Sequence, residues 1–397
     1  MKNKKSLKPD AVENEYVVVV RGPSGVIFHE DQHFIINKFL HDNTRVDLLF
    51  RTRYTKIEGV EELIPRSLWV EIRGRCSSIN KAISIFANAA LTLAEYFSFC
   101  VNAPIGDLQP ELAFDNTPNI KKREYFQQFV TDERIRPYMG RIIDIASTED
   151  VFRSIMHHAD HERIYRAIVH YAQALKYWNY GKDIFSLAHL YMGMEALTPI
   201  ALRKYMEDNK LDKNGLIAKW GIEKKQLDSE IRQRILFKND TDTFQKAREA
   251  SDTYEHSYDA LSKVWNLASS VKKKTAEYLR SSILELSNAD EATRNKLLCP
   301  PFDKPFSLDF AKYLRGFLIG DAEHLGTDEQ EYPIIRWESK PVKVIKSTDE
   351  ILIMNDEKFT PMIAEKLGFQ SSSLEIWGGP EREIDKTIRK KIESVIK

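Results

Sequence analysis

Between residues 148 and 298 glycine and proline nearly vanish and apolar residues return at a period of 3.6, the pattern of an α-helical bundle. Residues 161–180 read as one amphipathic helix, Tyr180-Gly181-Lys182 as a tight break, and residues 183–205 as a second helix with Ile184, Leu187, Ala188 and Tyr191 on one stripe. So short a connection implies an antiparallel hairpin. A third helix is expected over residues 219–236 and a loop over 239–243. Leu261, Val264, Trp265 and Ala268 then stripe a last long helix running toward Leu286.

The flanking segments lack this period. Residues 17–20 read as a strand closed by the turn Arg21-Gly22-Pro23-Ser24-Gly25, and residues 45–57 and 68–75 as two more. In the last of these Val70 and Ile72 alternate with Glu71, Arg73 and Arg75, so one face is apolar and the other charged. Ser77 and Ser78 can cap a helix whose Ile83, Phe86, Ala87, Ala90, Leu91, Ala94 and Phe97 pack on that sheet. Residues 102–118, with three prolines and Gly106, read as a loop. Beyond Cys299-Pro300-Pro301-Phe302, residues 332–337, 342–345 and 350–354 suggest three short strands of a small meander or sandwich, separated by Pro341 and the Ser347-Thr348-Asp349 turn. Ile384, Ile388, Ile392 and Ile396 recur every fourth residue and predict a terminal amphipathic helix. The expected fold class is therefore α+β: an N-terminal sheet-and-helix domain (1–147), a central helical bundle (148–298), a small β domain (299–380) and the helix 381–397.

The 59 Lys+Arg against 59 Asp+Glu leave no net field to draw in a polyanion, so any contact with nucleic acid must be made by a local patch. Cys76, Cys100 and Cys299 are scattered and odd in number, which supports neither a disulfide framework nor a cysteine zinc site. MKNKKSLKPD is followed by AVENEY, not an apolar run, and no stretch of about 18 uncharged apolar residues occurs. A cytoplasmic protein without membrane attachment is expected.

In the central region the hairpin bearing FSLAHLYMGMEAL, followed by ILFKNDTDTFQKAREASDTYEHSYDAL and a last helix, resembles the HEPN superfamily of helical domains, and within it the Apea-like branch. The resemblance covers about residues 163–286. It implies a metal-independent endoribonuclease of prokaryotic antiviral defence or toxin type, acting without a cofactor on RNA as a homodimer whose two motifs face one cleft. An Arg separated by four to six residues from a His, near the start of the last helix, carries that activity in the family. His256 matches the His, as acid/base, but Glu249, Ala250 and Ser251 stand where the Arg belongs and Arg248 lies one residue too early. If Ser251 or Asp252 is an N-cap, Arg248 sits in a loop and can fold back as a phosphate clamp. In a continuous helix it stands about 12 Å from His256 along the axis. Glu195, eleven residues after Ile184, falls on the apolar stripe, needs a partner there, and is the expected orienter of Arg248 or His256. The alternative is a catalytically degenerate HEPN-like scaffold that binds a nucleotide, nucleic acid or a protein partner.

For that binding role, Arg51 and Arg53 at i, i+2, and Arg73 and Arg75 likewise, would form a phosphate-reading ladder with Arg45 and Lys56, or merely a solvated sheet face. Tyr177, Trp178, Tyr180 and Phe185 read as packing around the hairpin turn, and Lys272-Lys273-Lys274 as a solvated helix face. His157 and His161 share a helix face, with His158, Asp160, Glu162 and His170 nearby. No H-E-x-x-H motif accompanies them, and no metal site is assigned.

Overall fold

The structure, a computed structural model, describes residues 13–39, 45–128, 139–179, 181–256, 261–319, 334–362 and 368–379. The expected terminal helix 381–397 lies outside them.

Strands β1 (Asn14–Gly22), β2 (Val26–Ile27), β3 (Phe34–Phe39), β4 (Arg45–Thr55) and β5 (Ile64–Cys76) lead into helix α1 (Ile79–Val101), and β6 (Gln109–Asp115) and β7 (Tyr125–Gln127) follow. An antiparallel sheet of order β3-β4-β5-β1-β6-β7 results. Alternation sorts its residues: Val18, Val20, Val46, Leu48, Phe50, Leu68, Val70 and Ile72 are buried with Phe86, Ala90, Leu93 and Phe97 of α1. Ser78 starts α1 as expected, its side chain accepting from the Lys81 N–H. α1 is long and apolar enough to cross a bilayer, but it is a core helix of this sheet. The loop expected over 102–118 contains β6, because Pro110 falls beside a bulge in the pairing with β1 where the missing N–H is tolerated.

Strand β8 (Met139–Ile142) belongs to a second sheet. It pairs in parallel with β2 and antiparallel with a strand from far down the chain. Gly140 is required at this crossing, since a Cβ there would enter the Ile27 side chain.

The helical region comprises α2 (Ile145–Met156), α3 (His161–Lys176), α4 (Asp183–Asn209), α5 (Lys213–Trp220), α6 (Leu227–Ile231), α7 (Thr241–His256), α8 (Leu261–Leu286) and α9 (Glu291–Leu297). α3 and α4 form the predicted hairpin. The single helix expected over 219–236 is split: Gly221, at φ 65°, closes α5, a 3₁₀ turn follows, and α6 passes into a π-helical turn at Arg232–Leu236. One apolar core runs from Ile164, Ile168 and Tyr171 through Leu187, Leu190 and Met194 to Val264, Ala268 and Leu279. Lys272 is not on a solvated face. It is buried against the Trp178 ring at 4.3 Å and bonded to Asp183 at 2.5 Å.

Strands β9 (Ser307–Ile319), β10 (Ile334–Lys346), β11 (Glu350–Met362) and β12 (Gly368–Gly379) complete the chain. β9 pairs with β12, and β10-β11-β8-β2 is the order of the second sheet. Two of the three short strands expected here are one, β10, which passes Pro341 through a bulge. They do not form a closed unit, because β11 pairs with β8. The protein is α+β, with the expected boundary between N-terminal and C-terminal strands bridged by a shared sheet.

Where the parts meet, the carbonyl end of α1 is covered by two buried guanidinium groups. Arg141 of β8 donates to the carbonyls of Val101, Asn102 and Lys304, and Arg280 of α8 to those of Phe99, Cys100, Leu297 and Phe302. Cations suit this negative pole of the helix. Burial lowers both pKa values, that of Arg141 to about 10, so Arg141 stays charged at neutral pH.

Candidate nucleic-acid interface

The outer face of the first sheet carries the four predicted arginines, and the register divides them. Arg51 lies opposite Trp69, and Arg53 opposite Ser67. Both guanidinium groups lean on the Trp69 indole, at 5.9 and 5.3 Å from its centroid. Among the described residues neither has an ion-pair partner. Arg73 is held by Glu71 at 2.6 Å and faces Asp47 across the strands. Arg75 is six residues from Trp69, about 20 Å along β5. The single ladder expected from the sequence is therefore interrupted by carboxylates, and only Arg51 and Arg53 act at one place.

That place is a cleft of about 640 Å³. Ile35, Leu49 and Trp69 give it an apolar floor, Arg51 and Arg53 one wall, and the segment Glu30-Asp31-Gln32-His33 the other. The Thr52 hydroxyl accepts from the Phe28 N–H and the Tyr54 hydroxyl donates to the Phe28 carbonyl, which pins this segment to β4. Lys346 of β10 pairs with Glu30 and so removes one negative charge from the rim. Burial, with Glu30 and Asp31 close by, holds Tyr54 protonated. The Trp69 indole N–H and the Gln32 side-chain oxygen are buried without hydrogen-bond partners among the described residues. Such groups are ordinarily satisfied, and a bound molecule can satisfy them. Trp69 was not singled out from the sequence; the available signal was its alternation with Glu71 and Arg73.

The helical region places the other predicted residues. Glu195 is 48% exposed, on the outer line of α4 with Phe185 and Met192, not on the apolar stripe; its partner is Arg232 at 3.4 Å. α4 is packed by α3, α7 and α8, so its exposed strip is narrow and lies close to the predicted stripe. Ser251 and Asp252 are not N-caps. Asp240 caps α7, accepting from the Thr243 N–H at 3.0 Å and its hydroxyl at 2.8 Å, and the helix continues through Ser251 to His256. Arg248 thus lies mid-helix, bonded to Asp252 at 3.3 Å and near Ser229 at 3.5 Å. His256 is the last residue of α7, five positions before Leu261, where α8 begins, and its side chain lies outside the described residues. Eight helical residues put it about 12 Å from Arg248 along the axis.

Arg232 lies over the Tyr191 ring at 5.5 Å, and the charges of Arg232, Asp252, Glu195 and Arg248 all act on the Tyr191 hydroxyl, whose pKa burial raises. His157 is bonded to the Arg153 carbonyl at 2.8 Å, and among the described residues no three His, Cys, Asp or Glu side chains are grouped to hold a metal ion.

No protein-family model matches the chain, and neither a curated protein nor a solved structure matches it.

Proposed function

We propose that the protein acts on RNA, holding one nucleotide of a single strand in the cleft between Arg51, Arg53 and Trp69. The observation that carries this reading is the pair of guanidinium groups on one indole, without carboxylate partners among the described residues. A base can stack beside the indole, and the Arg forks can take a phosphate through charge-assisted bonds. The α3–α4 hairpin with α7 and α8 is read as the HEPN-like part. Fluorescence anisotropy of a dye-labelled single-stranded RNA, titrated with the protein, tests the proposal. Trp69→Ala is expected to weaken binding by about 1–3 kcal/mol. With one phosphate engaged, the logarithm of affinity should fall with that of salt at a slope of about −0.7, flattening in the Arg51→Ala/Arg53→Ala variant. Unchanged affinity in these variants would reject the cleft.

A second reading is a metal-independent endoribonuclease of defence type, acting as a homodimer. It rests on the resemblance of residues 163–286 to the HEPN superfamily. RNA cleavage that resists chelators and is lost in His256→Ala would support it.

A further inference from the structure

The cleft at Trp69 is polarised. Donors stand on one side: the Arg51 and Arg53 forks and, at the edge of the indole whose face they cover, the Trp69 N–H. Acceptors stand on the other. The Gln32 N–H donates to the His29 carbonyl at 3.0 Å, and the turn it closes sets Glu30, Asp31 and Gln32 along that wall. Lys346 engages Glu30, which leaves a ligand the Asp31 carboxylate, exposed at the rim, and the buried Gln32 side-chain oxygen. Among the described residues Asp31 has no ion-pair partner.

The two orphaned atoms therefore divide between the walls, one donor and one acceptor. A molecule that satisfies both must be polar in the opposite sense, with acceptors toward the arginines and donors toward Asp31 and Gln32. Any phosphate it carries belongs on the arginine side, because the carboxylates repel it. That fixes the direction in which a nucleotide lies across the floor of Ile35 and Leu49.

Guanine alone among the RNA bases matches this pattern with a pair of groups on each side. N7 and O6 are adjacent acceptors, which one Arg fork takes together. On the side away from N7, N1–H and N2–H2 are adjacent donors, suited to neighbouring carboxylate and amide oxygens. Adenine sets its N6 donor against the arginines and its bare N1 against Asp31 and Gln32. Uracil places a carbonyl on each flank of its one donor, and cytosine offers the acceptor wall a single donor. Each of these leaves a polar group of the cleft unpaired, which is how a site rejects the wrong ligand.

We infer that the cleft selects guanine, with Asp31 and Gln32 as its specificity-determining residues. They receive N1–H and N2–H2, one Arg fork holds N7 and O6, and the other fork holds the phosphate. This rests on the reading that the cleft holds one nucleotide of single-stranded RNA.

The test titrates the full chain into dye-labelled RNAs that carry uridine throughout except at the centre, where guanosine, adenosine, uridine, inosine or 7-deazaguanosine stands. Guanosine is expected to bind about tenfold or more tighter than adenosine or uridine. Inosine, without the N2 amine, and 7-deazaguanosine, without N7, should each lose about fivefold against guanosine. Asp31→Ala/Gln32→Leu should bind guanosine and inosine alike yet still disfavour 7-deazaguanosine, a split that general loosening of the cleft does not produce. Equal binding of guanosine, adenosine and uridine would overturn the selection and leave the RNA reading standing; no binding of any RNA would overturn both. Inosine matching guanosine on the wild type would overturn the role of Asp31 and Gln32. Free GMP displacing the guanosine RNA as tightly as that RNA binds would keep the selection and overturn RNA as its source.

Discussion

Arg280 Nη2 donates to the carbonyl of Cys100 at 2.8 Å, across 180 residues of chain. With Arg141 it replaces the water that would otherwise solvate the end of α1. Arg280→Met should therefore destabilise the protein by about 3 kcal/mol, because several buried carbonyls lose their donor while one desolvated charge is relieved. Urea denaturation measures this. A loss below about 1 kcal/mol would mean that water enters and takes over the bonds.

Lys272 and Asp183 make a second buried link, between α8 and the start of α4. Lys272→Met alone should cost about 3 kcal/mol, since Asp183 is left nearly buried without its cation. Adding Asp183→Leu should recover most of that loss. A double variant no better than the single one would show that the pair is worth more than the apolar contact replacing it.

Asp240 has its pKa lowered to about 2 by the Thr243 N–H, the Thr243 hydroxyl, Tyr278 and Lys274, against a smaller opposing effect of burial. The folded state holds this carboxylate ionised, so its contribution is complete above the unfolded value of about 3.8 and disappears as pH falls toward 2. Asp240→Ala should lower stability by about 1–2 kcal/mol at neutral pH and by much less near pH 2. Urea midpoints of the two proteins across that range decide it.

His170 of α3 and His189 of α4, Nδ1 to Nδ1 at 3.4 Å, predict a slope of their own. Both folded pKa values lie below the unfolded value of 6.5, so the unfolded chain binds protons first, and stability falls as pH drops from there toward the folded values. Glu95, whose pKa burial raises, acts with the opposite sign. Comparing wild type with the His170→Gln/His189→Gln variant cancels Glu95, and the difference between them should shrink on acidification. A constant difference would place both rings in ordinary solvation.

How much of this was legible in the chain depends on the range of the contact. Ser78, the three/four spacing after it and the alternation of residues 68–75 are local, and they mark α1 and β5 within a few residues. Whether Arg248 stands in a continuous helix or in a loop was open in the sequence, because Ser251 and Asp252 can cap; Asp240 caps first and α7 continues past them. Arg51 and Arg53 are a visible pair, but Trp69 joins them through strand register, which spacing within one strand does not state. His170 and His189 are single histidines on separate helices, joined only when the hairpin closes.

The second sheet bears on how the chain is made. β2 and β8 emerge from the ribosome early, yet the partner of β8 at Glu350–Leu352 is synthesised about 200 residues later, a wait of roughly 10–40 s at ordinary translation rates. During that interval β8 has an open edge of the kind that templates association between nascent chains. The fold thus demands that this edge be shielded during synthesis, and a premature stop before β11 would yield a product that stays exposed for as long as it survives.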